Sequence, residues 1–244
     1  HKSQESSLIF PTGYMANLGV ISTLVRKNDL VLSDKLNHAS LIEACKLSNA
    51  KLSIFKHNDM NDLIHKIKTK AKRKFIITEG IFSMDGDFSN LNEISEISKR
   101  NNAIIILDDA HGDFVVGNDG KGTANYFGVS KKIDVYISSL SKGLGSFGGY
   151  VSAKKSIIEL CINKSKSFIY TSALPRLLID DATKRFESDR EKNRKKLWRN
   201  VKKFSDGLKK IGFNDNSNSH IFPIIIGKEK IAMEFGEYLF KNGI

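Results

Sequence analysis

Residues 103–107, Ala-Ile-Ile-Ile-Leu, make an unbroken apolar and mostly β-branched run that ends in Asp108-Asp109-Ala110-His111-Gly112. A strand with no polar alternation has to be covered on both faces, which fits a parallel sheet flanked by helices far better than a half-solvated sheet. Shorter apolar strands are expected at 7–10, 30–32, 51–55, 75–80 and 135–137. Helical apolar spacing separates them at 14–25, from His38 through 44, at 59–70 with Leu63, Ile64 and Ile67 inward, and at 90–100 with Leu91, Ile94 and Ile97 inward. Strands that alternate with helices predict an α/β fold with a mostly parallel central sheet and helices on both faces. Sheets of that kind bind ligands beyond the carboxyl ends of their strands. Glu79, Asp108, His111 and Lys142 all fall at that edge.

Composition narrows the class. With 244 residues, 40% hydrophobic and 27% charged, the chain is long enough for one large domain plus part of another. No apolar run reaches membrane-spanning length, so no membrane association is expected. Cys45 and Cys161 supply no disulfide framework, which suits a reducing cytoplasm. The net charge of +12 is densest over 184–210, where acidic residues and Trp198 are interleaved. That pattern reads as a solvated basic surface rather than a nucleic-acid footprint. His57 and His65 are read as structural, and no metal site is expected. The chain begins without Met and stops where a helix has just ended, so it reads as part of a longer one.

Residues 138–150 read Ser-Ser-Leu-Ser-Lys-Gly-Leu-Gly-Ser-Phe-Gly-Gly-Tyr, directly after an apolar strand. Lys142 there leaves a strand end into a pocket of backbone and hydroxyls, a setting for a covalent lysine. An amine holds an aldehyde only when neutral, and burial lowers its pKa. A pyridine ring used as an electron sink needs a buried carboxylate at its nitrogen, and Asp108 is suited to that. Thr12 is expected to cap a helix whose start, Gly13-Tyr14, offers free N–H groups to a phosphate together with Ser139 and Ser141. His38 can stack on the ring and His111 can reach its phenolic oxygen. The cofactor this set implies is pyridoxal 5'-phosphate.

The stretches 12–17 (Thr-Gly-Tyr-Met-Ala-Asn), 37–40 (Asn-His-Ala-Ser), 78–87, 108–112 and 140–145 (Leu-Ser-Lys-Gly-Leu-Gly) together resemble the α-oxoamine synthases, fold-type-I pyridoxal-phosphate enzymes that join an amino acid to an acyl thioester and release carbon dioxide. Thr78-Glu79-Gly80, Asp108 to Gly112 and 167–175 resemble most closely the branch serving biotin biosynthesis, which uses L-alanine and a pimeloyl thioester on coenzyme A or a carrier protein. The alternatives are another member of the group, such as a glycine acetyltransferase, or a catalytically silent dimerising paralogue. The resemblance implies that Lys142 anchors the cofactor and that Asp108 partners its ring nitrogen. It further implies that His38 stacks, that His111 and Ser83 bond the phenolic side, and that Gly13, Tyr14 and Ser139 hold the phosphate. It implies a cytoplasmic homodimer with the site at the interface, where Thr171 or Ser172 reaches the partner's phosphate. Asp113 and Lys121 depart from the group's pattern, and the group's carboxylate-binding arginine lies outside this chain.

Past the lysine, 149–153 is expected to run antiparallel as it returns from the pocket, with a helix at 155–165 and an extended piece at 167–172. A helical region from Pro175 to Lys210, broken near Ser188, marks the boundary between a large domain, 1–187, and part of a small α+β one, 188–244. A strand at 221–226 and a helix at 228–239 complete the expected elements.

Overall fold

The computed structural model describes residues 1–213 and 217–244. Seven strands form one sheet: β1 (Ser6–Phe10), β2 (Leu30–Asp34), β3 (Lys51–Phe55), β4 (Lys74–Glu79), β5 (Ala103–Asp108), β6 (Val135–Ser139) and β7 (Gly149–Ala153). Their spatial order is β1-β7-β6-β5-β4-β2-β3. The pairs from β6 to β3 are parallel, whereas β7 is antiparallel to both β6 and β1. The return strand expected at 149–153 is therefore present with the expected direction.

The uniform apolar runs have a direct explanation. Phe75, Ile77 and Ile106 point into one core with α1 (Gly13–Leu24) and α2 (Ala39–Leu47). Their neighbours Ile76, Ile105 and Leu107 point into a second core with α3 (Met60–Lys66) and α4 (Leu91–Asn101). Alternate side chains go to opposite faces, and both faces are covered, so every position is apolar. In the β4–β5 ladder Ile76 is opposite Ile105, Ile77 opposite Ile106, and Glu79 opposite Asp108. The same register that stacks the isoleucines thus delivers two carboxylates side by side at the sheet edge.

Helix starts follow local chemistry. The Thr12 hydroxyl accepts from Met15 N at 3.1 Å, as expected, and the ring of His38 caps α2 by accepting from Ser40 N at 3.2 Å. Asp59 and Asn90 cap α3 and α4 in the same way.

Three expectations need correction. The helix from Asp59 stops at Lys66, and Ile64 is 42% exposed rather than inward. Beyond Ile67 the sequence offers no large apolar residue to bury before β4, so helix propagation gains nothing from packing. Residues 167–172 are not extended: α7 (Lys166–Ile169) is a single turn, and Ser167 Oγ donates to Met15 O at 2.7 Å, tying it to α1. Residues 221–226 form no strand. Their neighbour Ser219 donates to Gly86 O at 2.6 Å, so this segment lies over a loop rather than beside a strand that could complete a ladder.

After α6 (Lys155–Lys164), the helical region breaks where expected, into α8 (Arg176–Glu187) and α9 (Glu191–Lys210), and the last helix, α10, spans Glu229–Lys241. A one-turn helix, α5, covers Thr123–Tyr126. Among the described residues no helix is long and apolar enough to cross a membrane.

Candidate active site

The carboxyl ends of β4, β5 and β6 and the amino end of α1 converge. Asp108, at the last position of β5, is 7% exposed and accepts from Asn17 Nδ2 at 2.7 Å and Ala110 N at 3.0 Å. Among the described residues no cationic side chain lies within ion-pair distance of it. Asn17 also bonds Ser40 Oγ at 2.9 Å, and the same hydroxyl meets His38 Nδ1 at 2.8 Å. One chain of contacts therefore fixes both the carboxylate and the imidazole from α1. The role of Asn17 lay within reach of the sequence, since it is a polar residue in the apolar helix that holds Met15, Leu18 and Ile21.

Lys142 follows β6 on an open loop, and its Nζ lies 2.7 Å from His111 Nε2. Partial burial lowers the Lys142 pKa, against the opposing pull of Asp108 and Glu79. Burial, with the charge of Lys142 and the nearby His220 and His38, brings the His111 pKa down to about 4. His111 is thus neutral near pH 7, and its Nε2 accepts from the Lys142 ammonium. The sequence assigned a lysine poised to be neutral at this position, and the environment pushes in that direction.

Glu79 is 4% exposed and accepts from His38 N. Burial and the adjacent Asp108 raise its pKa to about 8. A carboxyl raised in the fold contributes stability that is complete below its unfolded value of about 4.3 and is lost as pH rises through the folded value. Glu79→Gln keeps an acceptor for His38 N and removes the titration. Denaturant midpoints of the cofactor-free protein at pH 5.5 and pH 8.5 should therefore draw closer together in this variant than in the parent.

The residues expected on the phosphate side lie together. A Cβ added to Gly13 would stand 3.2 Å from Ser139 Cβ, and one added to Gly149 would stand 2.5 Å from Gly13 N. Two glycines thus let the start of α1 press against the end of β6 and the start of β7. Ser139 Oγ lies 2.7 Å from Ser141 Oγ. Tyr14 contributes only backbone here, because its hydroxyl donates to Glu43. Ser83 is half-buried in the loop after β4. Thr171 and Ser172 follow α7 and are absent from the cavity beside Lys142.

The residues fit pyridoxal phosphate on three observations. They are a nearly buried carboxylate with no cation, a glycine-lined helix start beside a hydroxyl, and an amine beside a neutral imidazole. One further set escaped the sequence reading: Arg190, Arg194 and His220 line the roughly 430 Å³ cavity that also holds Lys142 and His111.

The aminotransferase class I and II family matches residues 1–244. The chain belongs to that family. Among its relatives is the 8-amino-7-oxononanoate synthase of Thermoanaerobacter pseudethanolicus, 41% identical over all of this chain and 63% of that protein. The crystal structure of 8-amino-7-oxononanoate synthase from Francisella tularensis superposes with TM-score 0.85 at 30% identity, covering 99% of this chain and 72% of that one. A serine palmitoyltransferase from S. paucimobilis with bound PLP-myriocin aldimine superposes with TM-score 0.89 at 29% identity, covering 95% of this chain and 62% of that one. These relatives bear out the expected α-oxoamine synthase membership and the fold-type-I architecture. The chain spans 63% of the length of the Thermoanaerobacter relative.

Proposed function

We propose that the protein containing this chain is a pyridoxal-phosphate enzyme that condenses L-alanine with a pimeloyl thioester to 8-amino-7-oxononanoate, releasing carbon dioxide and the thiol. The observation that carries this reading is the Lys142–His111 contact at the same strand edge as the cation-free carboxylate of Asp108. Relatives named 8-amino-7-oxononanoate synthase at about 40% identity support the choice of substrates.

Bound at this edge, pyridoxal phosphate supplies an electron sink for a carbanion beside its ring. Lys142 Nζ holds the cofactor covalently and, once displaced by the amino acid, accepts the α-proton; its lowered pKa keeps a larger fraction of the amine neutral. Asp108, buried and anchored by Asn17, keeps a proton on the ring nitrogen. His38, fixed by Ser40, covers the ring, while His111 and Ser83 serve the phenolic side. The first N–H groups of α1 at Gly13 and Tyr14, with Ser139, hold the phosphate. In the reaction a C–C bond forms, the C–S bond of the thioester breaks, and the bond to the amino acid carboxylate breaks as carbon dioxide leaves.

The protein acts as a cytoplasmic homodimer in this reading, with Thr171 or Ser172 reaching the partner's phosphate. Two exposed apolar residues, Met84 at 79% next to Ser83 and Tyr170 at 81% next to Thr171, support such a contact. Thiol release by the full-length protein, measured with alanine plus pimeloyl-CoA and with glycine plus acetyl-CoA, tests the substrate pair. A higher kcat/KM for the first is expected. A preference for the second would move the protein to the glycine branch, and no turnover with either would leave the silent-paralogue reading.

A further inference from the structure

The cavity beside Lys142 is lined by Arg185, Arg190, Arg194, His111 and His220, and no carboxylate lines it. Arg185 is already paired, its Nε donating to Asp181 at 2.9 Å. The other two arginines are not fully used. Nη1 of Arg190 and both Nε and Nη1 of Arg194 are buried with no hydrogen-bond partner, and so is Nδ1 of His220. Arg194 reaches Glu191 only through Nη2, at 3.3 Å. The Arg190 guanidinium lies 5.1 Å from the ring centres of both Phe114 and Phe186, which stand edge to face at 6.3 Å. Unpaired guanidinium donors in a buried position carry a large desolvation cost unless an acceptor arrives. The fork of an arginine matches a carboxylate in particular.

Phe114, Val115, Leu144 and Leu197 line the same cavity as Lys142 and the arginines, together with Ser188 and Asn193. A ligand that carries both methylenes and an anion matches that lining; a small amino acid does not use its apolar part.

We infer that Arg190 and Arg194 bind the distal carboxylate of the acyl thioester, so that this cavity selects a dicarboxylic acid monothioester over a fatty acyl thioester. This rests on the condensation proposed above for the identity of the acyl donor. His220 also lines the cavity, and its Nδ1 has no hydrogen-bond partner, so it is available as a third polar contact. The arginines are specificity-determining residues and take no part in the bond changes at Lys142.

Two measurements on the full-length protein separate this inference from the reaction on which it rests. The first is direct binding of free pimelate and of heptanoate to the cofactor-loaded protein, monitored by isothermal titration calorimetry. Pimelate is expected to bind and heptanoate to bind at least about 10-fold more weakly, with the difference lost in Arg194→Gln and partly kept in Arg194→Lys. Equal binding of the two acids overturns the inference whether or not the protein turns over pimeloyl-CoA. The second is the KM for pimeloyl-CoA against that for heptanoyl-CoA in Arg194→Gln and Arg190→Gln. A rise of about 10-fold or more for the first thioester alone is expected. An equal rise for both marks a structural role, and a rise in the KM for alanine instead assigns the arginines to the amino acid carboxylate; either result overturns it. Absence of turnover with pimeloyl-CoA, alongside selective pimelate binding, would count against the proposed reaction and for the cavity.

Discussion

Lys142→Ala in the full-length protein is expected to lower turnover by at least about 10³-fold, with little change in denaturant midpoint. The expectation follows from two tasks resting on one amine. In the proposed reaction Lys142 would hold the cofactor in place and, once displaced, would take the α-proton. Alanine removes both. Stability is spared because the side chain sits on an open loop and, among the described residues, its side-chain hydrogen bond is to His111 alone. Lys142→Arg should fail nearly as badly, since a guanidinium stays charged and cannot do either task. Steady-state thiol release checks the rate and urea titration checks the fold. A variant that keeps more than about a tenth of parental turnover would remove Lys142 from the chemistry.

The second large effect is on stability. Lys2 has a side chain only 2% exposed, and its Nζ lies 2.9 Å from Asp109 Oδ2 and 2.8 Å from Asp113 Oδ1, both fully buried. It also donates to Lys121 O at 2.9 Å. Asp109 further accepts from Thr123 N and Oγ1, and Asp113 from the Tyr150 hydroxyl. The cluster staples the chain before β1 to the segment after β5 and to β7. Asp109→Ala leaves a buried ammonium short of one counter-charge and two Thr123 donors unpaired, and is expected to cost about 3–5 kcal/mol in urea unfolding of the full-length protein. Asp109→Asn should cost less, because the amide oxygen still accepts from Thr123. A loss below about 1 kcal/mol for the alanine variant would show that water or a neighbour replaces the lost carboxylate.

That cluster also explains a departure visible in the sequence. Asp113 stood out as unusual at its position, and the fold gives it Lys2, His1 and Tyr150 as partners. Nothing local in residues 1–5 announces this, because the partners are more than a hundred residues apart.

The sheet was legible because its rule is local. A strand covered on both faces has to be apolar at every position, and 103–107 is. The edge residues Glu79 and Asp108 were legible for a related reason, as carboxylates closing such runs, and Lys142 as a lysine in the serine- and glycine-rich stretch that follows one. His57, read as structural, bridges Asp34 at 2.9 Å and Asp87 at 2.8 Å with its ring. The misread elements were those decided by distant packing. Residues 167–172 carry strand-forming side chains, yet Phe168 packs edge-on to Phe10 at 5.7 Å, and the turn that seats it is helical. Residues 221–226 are apolar enough for a strand, but what lies beneath Ser219 is the Gly86 loop. Arg190 and Arg194 were hidden in plain composition. They sit among lysines in a basic stretch, and only the fold shows that their donors face inward.

The central claim is that Lys142 is the residue to which pyridoxal phosphate attaches. The direct measurement is borohydride reduction of the full-length protein after loading with the cofactor, followed by digestion and mass analysis of the peptide spanning 133–154. A single pyridoxyl phosphate group on Lys142, absent in Lys142→Ala, is the predicted result. Label on another lysine with Lys142 unmodified, or no label at all, would contradict the account.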